Sequence, residues 1–104
     1  MTVQENTPRL SALVVAHNEE AQLADCLDAL RFADEIVVVL DRCNDGSEQI
    51  ARAHDATVEA GAWEIEGARR NRGIEICTGD WILEVDADER VTAALAQDIR
   101  STIA

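Results

Sequence analysis

Four short apolar runs, Leu10 to Ala16, Ile36 to Leu40, Thr57 to Ala60 and Trp81 to Val85, are each followed by a segment of helical character. A strand that is apolar throughout needs cover on both faces, and a strand–helix–strand succession provides it through right-handed crossovers. The pattern predicts a Rossmann-like α/β layer: a mostly parallel sheet in the order 3-2-1-4, with helices on both faces. The first helix, Glu19 to Arg31, shows Leu23, Leu27 and Leu30 at helical spacing. Asp45, with Glu48 three residues on, resembles the start of a second helix running to about His54. Gly67 to Cys77 reads as a third helix, interrupted by Gly73 and ended by Thr78-Gly79. In the last helix Val91, Leu95, Ile99 and Ile103 recur every four residues, a stripe expected to lie on the sheet.

A chain of 104 residues is one domain, expected here as residues 9–104 behind a loose tail of residues 1–8. With 47% hydrophobic residues it has the material for a core, and 21 acidic against 9 basic residues set its net charge at -12. Such a charge opposes binding to nucleic acid or an anionic membrane surface and favours cation-shielded ligands. The apolar runs are far shorter than a membrane span, and the first eight residues carry neither a basic start nor an apolar signal core, so the expected location is cytoplasmic. Cys26, Cys43 and Cys77 are odd in number and far apart, which argues against a disulfide framework or zinc knuckle. Cys26 and Cys77 are expected as core filler and Cys43 as a loop residue.

The fourth apolar run ends in Asp86-Ala87-Asp88-Glu89. Residues two apart on extended backbone point the same way, so Asp86 and Asp88 are placed to share one hard cation, against the plainer reading of an acidic turn before a helix. In the expected topology the first and fourth strands are neighbours, and ligands bind at the crevice where strand order reverses. His17-Asn18-Glu19-Glu20 and Asp86-Ala87-Asp88-Glu89 line that crevice, and Asp41 ends the second strand on the same edge. Like charges gathered there repel unless a cation or proton intervenes, which favours a metal site. Neither G-x-G-x-x-G nor G-x-x-x-x-G-K-[ST] occurs, so a metal is needed to hold any phosphate. Asp41 to Arg52 fails as a calcium loop, with Cys43 third and Arg52 where a bidentate Glu is required. Arg69 and Arg70, near a helix start where the dipole disfavours cations, call for an anionic neighbour or form a solvated basic face.

These residues together resemble the nucleotide-binding half of a family 2 glycosyltransferase with the GT-A fold, over about Leu10 to Val91. The resemblance is carried by an apolar strand entering an Asn-Glu turn at Val14 to Glu20, a second strand ending at Asp41 before Asp45-Gly46-Ser47, Gly67-x-x-x-Asn71-x-Gly73, and Gly79-Asp80 before Asp86-Ala87-Asp88. It implies transfer of a sugar from a nucleoside-diphosphate donor, a UDP-sugar, to a glycan or lipid-linked acceptor with help from Mg²⁺ or Mn²⁺. It further implies that Ala16, His17, Asn18, Glu19, Asp41, Arg70, Asp86 and Ala87 bind the nucleotide. Asp88 becomes the principal metal ligand, and Asp86 touches the ion, directly or through water, or the donor sugar or ribose. Asp88-Glu89-Arg90-Val91 and Ala33-Asp34-Glu35-Ile36 look like bacterial enzymes that extend lipopolysaccharide core or related surface glycans, at the inner face of the cell membrane in the full-length protein.

The chain departs from the family pattern at His17, where an aromatic residue is common, and at Leu40 and Arg42, which replace an Asp and a Gly. The acceptor-binding half that supplies a general base is not in this sequence, no catalytic residue is assigned, and the chain alone is expected to transfer sugar poorly. The fourth strand is expected to be an open edge able to pair with a second copy as a homodimer. Two other classes share some of the features. A phosphatase of the haloacid-dehalogenase type also carries Asp-x-Asp after an apolar strand, though it continues differently from Glu89-Arg90. A non-catalytic acidic-pocket or receiver-like module could use Glu19, Glu20 and Asp41, but calls for a lysine, and this chain has none.

Overall fold

The computed structural model describes residues 8–104, so the expected tail falls outside the described residues apart from Pro8. The elements alternate from end to end: β1 Leu10–Ala16, α1 Glu20–Asp28, β2 Glu35–Asp41, α2 Ser47–Ala53, β3 Thr57–Gly61, α3 Glu66–Ile76, β4 Trp81–Asp86 and α4 Ala93–Ile103. All strand pairs are parallel and the order is β3-β2-β1-β4, as the apolar runs predict.

Alternate side chains of the strands build two cores. Ala12, Val14 and Ala16 of β1 and Val38 and Leu40 of β2 pack with Leu23, Cys26, Leu27 and Leu30 of the α1 segment and Ala51 of α2. On the other face Leu13, Val37 and Val39 meet Val15, Trp63, Ile76 and Cys77 on the α3 side. β1 is the hub, with Val15 paired to Val39 on one flank and to Asp86 on the other. Gly73 is the buried residue of α3, because any Cβ there would come within 2.5 Å of Leu13 Cδ1.

At the N-terminal edge of the sheet, Glu35 accepts hydrogen bonds from the Ser11 hydroxyl and the Thr78 backbone N–H. The Gly79 N–H donates to Ser11 Oγ at 2.9 Å, closing the turn into β4 against β1. Burial pushes the Glu35 carboxyl up, but these hydrogen bonds and Arg9 leave it below the usual range.

Two local expectations change. The Asp45–Glu48 pair forms no reciprocal capping box: Asp45 Oδ1 accepts the Ser47 N–H at 3.0 Å, and Glu48 is held by Arg52 at 2.9 Å. Asp45 still closes the turn, two residues before the bonded N–H, and α2 begins at Ser47.

The stripe of α4 is not buried on the sheet. No residue of α4 is buried, and Leu95 remains 47% exposed. Leu95, Ile99 and Ile103 instead face Leu10, Trp81, Ile82 and Leu83 across an apolar trough of about 300 Å³. Periodicity shows that a helix has an apolar face without showing how closely that face seats. Thr92 caps the N-terminus by accepting the Leu95 N–H, and Arg100 ties the far end to the Phe32 carbonyl at 2.6 Å and to Asp34 at 3.1 Å.

A Cβ at position 79 would lie 2.7 Å from the Ser11 backbone nitrogen and 2.9 Å from the Arg9 carbonyl oxygen. Backbone cannot yield as a side-chain tip can, so Gly79→Ala is expected to destabilise the fold by about 1–3 kcal/mol, read as a lowered midpoint in urea unfolding. An unchanged midpoint would show that the turn relaxes freely.

Candidate functional site: a carboxylate-rimmed cleft

The C-terminal ends of β1 and β4 lie side by side, and between them opens a polar cleft of about 240 Å³. It is lined by Val15, Ala16, His17, Glu19, Arg69, Asp86, Ala87 and Asp88. Six of the residues assigned to nucleotide or metal from sequence, Ala16, His17, Glu19, Asp86, Ala87 and Asp88, therefore meet in one place, together with Arg69. Ala16 and Ala87 are buried, 2% and 4% exposed, and their small side chains keep the floor of the cleft low.

Asp86 and Asp88 reach this cleft by different routes. Asp86 ends β4, whereas Asp88 lies beyond the strand in a turn, so strand alternation is not what aligns them. The Glu89 N–H donates to the Asp86 carbonyl at 2.9 Å, while Glu89 Oε1 accepts the Asp86 N–H at 2.7 Å. Arg90 adds bonds to the Ala87 and Glu89 carbonyls, both at 2.8 Å. Glu89 and Arg90 thus satisfy the Asp86 N–H and the carbonyls of Asp86, Ala87 and Glu89 in the turn. The two aspartate carboxylates are exposed and, among the described residues, take no hydrogen bond or ion pair within the chain.

These two carboxylates are the candidate donor set for a divalent cation. Among the described residues no cluster of three or more His, Cys, Asp or Glu side chains forms a protein-only cage. Mg²⁺ and Mn²⁺ accept a short acidic pair when water and substrate phosphate complete the shell, so the residues present fit a metal bound together with a phosphate ligand.

The loop after β1 is fixed by its neighbours. Asn18 adopts a left-handed φ of 52°, tolerable for Asn, and its Oδ1 accepts the Asn44 N–H at 2.8 Å. Asn18 consequently braces the two loops and does not line the cleft. His17 Nδ1 donates to the Asp41 carbonyl at 2.7 Å, and Glu19 Oε2 accepts from Gln22 Nε2 at 3.1 Å. Cys43 is half-buried in this loop and burial pushes its thiol up, as burial pushes the core Cys26 thiol to about 11. Neither is a reactive thiolate.

Asp41 is 1% exposed at the end of β2. Its Oδ1 accepts the Trp63 N–H at 3.0 Å and Arg42 Nε at 3.0 Å, and its Oδ2 accepts Arg42 Nη2 at 3.1 Å and Arg69 Nη1 at 2.8 Å. Arg42 folds back on its neighbour by taking a left-handed φ of 52°. Burial pushes the Asp41 carboxyl up, but the Trp63 N–H and the two guanidinium groups outweigh it and hold the group down at about 2.

The two arginines of α3 divide their work. Arg70 pairs with Glu84 of β4 at 3.0 Å and stays 57% exposed, at the edge of a neighbouring depression. It is Arg69, 20% exposed, that enters the cleft, and its Nε is buried without a partner. The sequence held the signal: Arg69 is four residues before Gly73, which packs on the sheet, so both share the inward face.

A parallel sheet of this strand order, with an acidic cleft where the order reverses, is the α/β architecture of the GT-A fold. The Glycosyl transferase family 2 profile matches residues 11–99, and the chain belongs to that family. Curated relatives include an uncharacterized glycosyltransferase of Rickettsia typhi, 28% identical over 92 residues, and the lipopolysaccharide core biosynthesis glycosyltransferase LpsC of Rhizobium meliloti, 30% identical over 96 residues. These alignments cover 88% and 85% of this chain but 32% and 34% of the relatives, so the chain spans about a third of their length. Among solved structures, a mannosyltransferase from Pyrobaculum calidifontis in complex with GDP-Man and Mn²⁺ superposes with a TM-score of 0.73 at 23% identity, covering 89% of this chain and 32% of that one. The glucosyl-3-phosphoglycerate synthase of Mycobacterium tuberculosis, solved with Mn²⁺, UDP and glucosyl-3-phosphoglycerate, gives 0.69 at 22% identity, covering 77% and 33%. Family membership sets aside the phosphatase and receiver-like readings. Among the described residues no helix is long and apolar enough to cross a membrane.

Asp41 also makes an acid limit. Its carboxyl titrates lower in the folded state than in the unfolded one, so its contribution is complete above the unfolded value near pH 4 and is lost as pH falls through about 2. Urea midpoints should stay flat down to about pH 4 and then drop, and Asp41→Asn should flatten this limb without removing it, because Asp34 and Glu35 are also held low. A limb equally steep in the variant would contradict the assignment.

Proposed function

We propose that this chain is the donor-binding part of an enzyme that transfers a sugar from a nucleoside diphosphate, UDP being the nucleotide, to a glycan or lipid-linked acceptor. The observation that carries this reading is the meeting of two unpaired carboxylates, Asp86 and Asp88, with the cation of Arg69 in one cleft where strand order reverses. The UDP and GDP-Man complexes of the structural neighbours support it, as does the lipopolysaccharide core role of the Rhizobium relative.

In this reading Asp88 is the principal ligand of Mg²⁺ or Mn²⁺, with Asp86 reaching the ion or the donor's ribose and sugar. The bound metal stabilises the negative charge that develops on the departing diphosphate as a Lewis acid. Ala16 and Ala87 leave room for the nucleotide against the strand ends, and His17 and Glu19 form the opposite wall. Arg69 supplies fixed positive charge in a cleft otherwise rimmed by acids. No residue of this chain is assigned as catalytic base.

Calorimetry with UDP is the direct test. Binding is expected in the presence of Mn²⁺ and to weaken at least tenfold when the metal is chelated, roughly the 1.4 kcal/mol that a tenfold change represents. Asp88→Ala should cause a similar loss while leaving the thermal midpoint unchanged, since Asp88 is exposed and unpaired. Metal-independent binding of equal strength, or none at all, would overturn the reading.

A further inference from the structure

Asp86 and Asp88 both line the cleft, although only Asp86 belongs to a strand. On extended backbone two residues this far apart share a face by alternation, but the chain stops being extended at Asp86. It closes a four-residue turn, Asp86-Ala87-Asp88-Glu89, in which the Glu89 N–H donates to the Asp86 carbonyl at 2.9 Å. Neither central residue takes a positive φ, so the turn is one that ordinary side chains adopt without strain. Ala87 belongs to the core cluster on the α1 side, which seats the turn and leaves Asp88 exposed.

A side chain closes the turn a second time. Glu89 Oε1 accepts the Asp86 N–H at 2.7 Å, so residues 86 and 89 exchange two hydrogen bonds and form a closed ring. β4 is an edge strand, and a backbone N–H at the end of such a strand is left to water unless something covers it. A carboxylate makes a charge-assisted bond there, stronger than one between neutral groups. The same bond keeps Glu89 away from the ion. Its side chain does not line the cleft, and among the described residues no three His, Cys, Asp or Glu side chains gather closely enough to hold a metal.

We infer that Glu89 is a positioning residue for the metal site: its reciprocal bonds with Asp86 hold the turn in the form that presents the Asp88 carboxylate beside that of Asp86. Glu89 works as an acceptor of the right length, and supplies neither a ligand nor a required charge. This role rests on the donor-binding reading above and adds to it a residue that touches neither metal nor nucleotide.

Two conservative variants separate reach from charge. Glu89→Gln keeps the length and an acceptor oxygen but loses the charge, whereas Glu89→Asp keeps the charge and is one methylene short of the Asp86 N–H. Both are compared with wild type by calorimetry with UDP plus Mn²⁺, by NMR titration with uridine, and by hydrogen exchange at the Asp86 amide. Glu89→Gln should bind UDP within twofold of wild type and keep that amide protected. Glu89→Asp should bind UDP at least fivefold more weakly, with the amide exchanging at least tenfold faster. Uridine carries no phosphate for the metal to hold, so its affinity should stay within twofold in all three proteins. The role is refuted if Glu89→Gln is as weak as Glu89→Asp, which would make the carboxylate a ligand or a needed charge. It is equally refuted if Glu89→Asp matches wild type, or if uridine binding falls along with UDP binding, the mark of a cleft lost as a whole. Should Glu89→Asp fail to fold, Glu89→Gln decides, because a ligand cannot become an amide without loss. Wild-type protein with no metal-dependent binding of UDP would instead bring down the donor-binding reading, a result distinct from all of these.

Discussion

The pairing of β1 with β2 on one flank and β4 on the other is the constraint from which the site follows. Val15 opposite Asp86 and Ala16 opposite Leu40 bring three strand ends to one rim, although they are separated by long stretches of sequence. Helices on opposite faces cannot close over that rim, because the crossovers diverge there. The cleft is thus a by-product of topology, and the chain spends its side chains on making it polar. What keeps β1 central is burial: Leu10, Ala12, Leu13, Val14 and Ala16 are all 2% exposed or less. Fully burying one Val or Leu side chain stabilises a fold by about 1.5–3 kcal/mol, so registers that expose this strand lose heavily.

The site is electrostatically divided. Buried Asp41 is saturated with donors, while Asp86 and Asp88 have no partner among the described residues and face solvent. A folded protein normally spends its carboxylates on caps and ion pairs, as this one does with Asp34, Glu35 and Asp45. Glu89 and Arg90 supply the bonds the turn requires, which releases Asp86 and Asp88 from structural duty.

The strands and their order were legible because continuous apolar runs carry strong information about burial on two faces, and Gly73 announced the close seat of α3. The cleft was legible in Ala16, His17, Glu19, Asp86, Ala87 and Asp88 because strand ends are fixed by the runs that precede them. The remainder depended on rotation and partners, which composition does not encode. Whether Arg69 or Arg70 turns inward is a matter of about 100° around one helix. The four donors on Asp41 come from residues as distant as Trp63 and Arg69, and no local pattern gathers them. The apolar face of α4 was visible, but the depth at which it seats depends on the shapes of Trp81, Ile82 and Leu83 facing it.

That loosely seated helix changes what the aspartate turn can do. An isolated helix of this length is marginal in water, and α4 hangs from the sheet chiefly through Arg100 at its far end. The segment from Ala87 to Thr92 therefore joins the edge strand β4 to the helix that, among the described residues, buries none of its own side chains. Asp86 ends a strand registered against Val15 of β1, whereas Asp88 lies in the turn that leads to α4. The two unpaired carboxylates at the rim thus sit on different footings, Asp86 at the end of a paired strand and Asp88 in the turn beyond it.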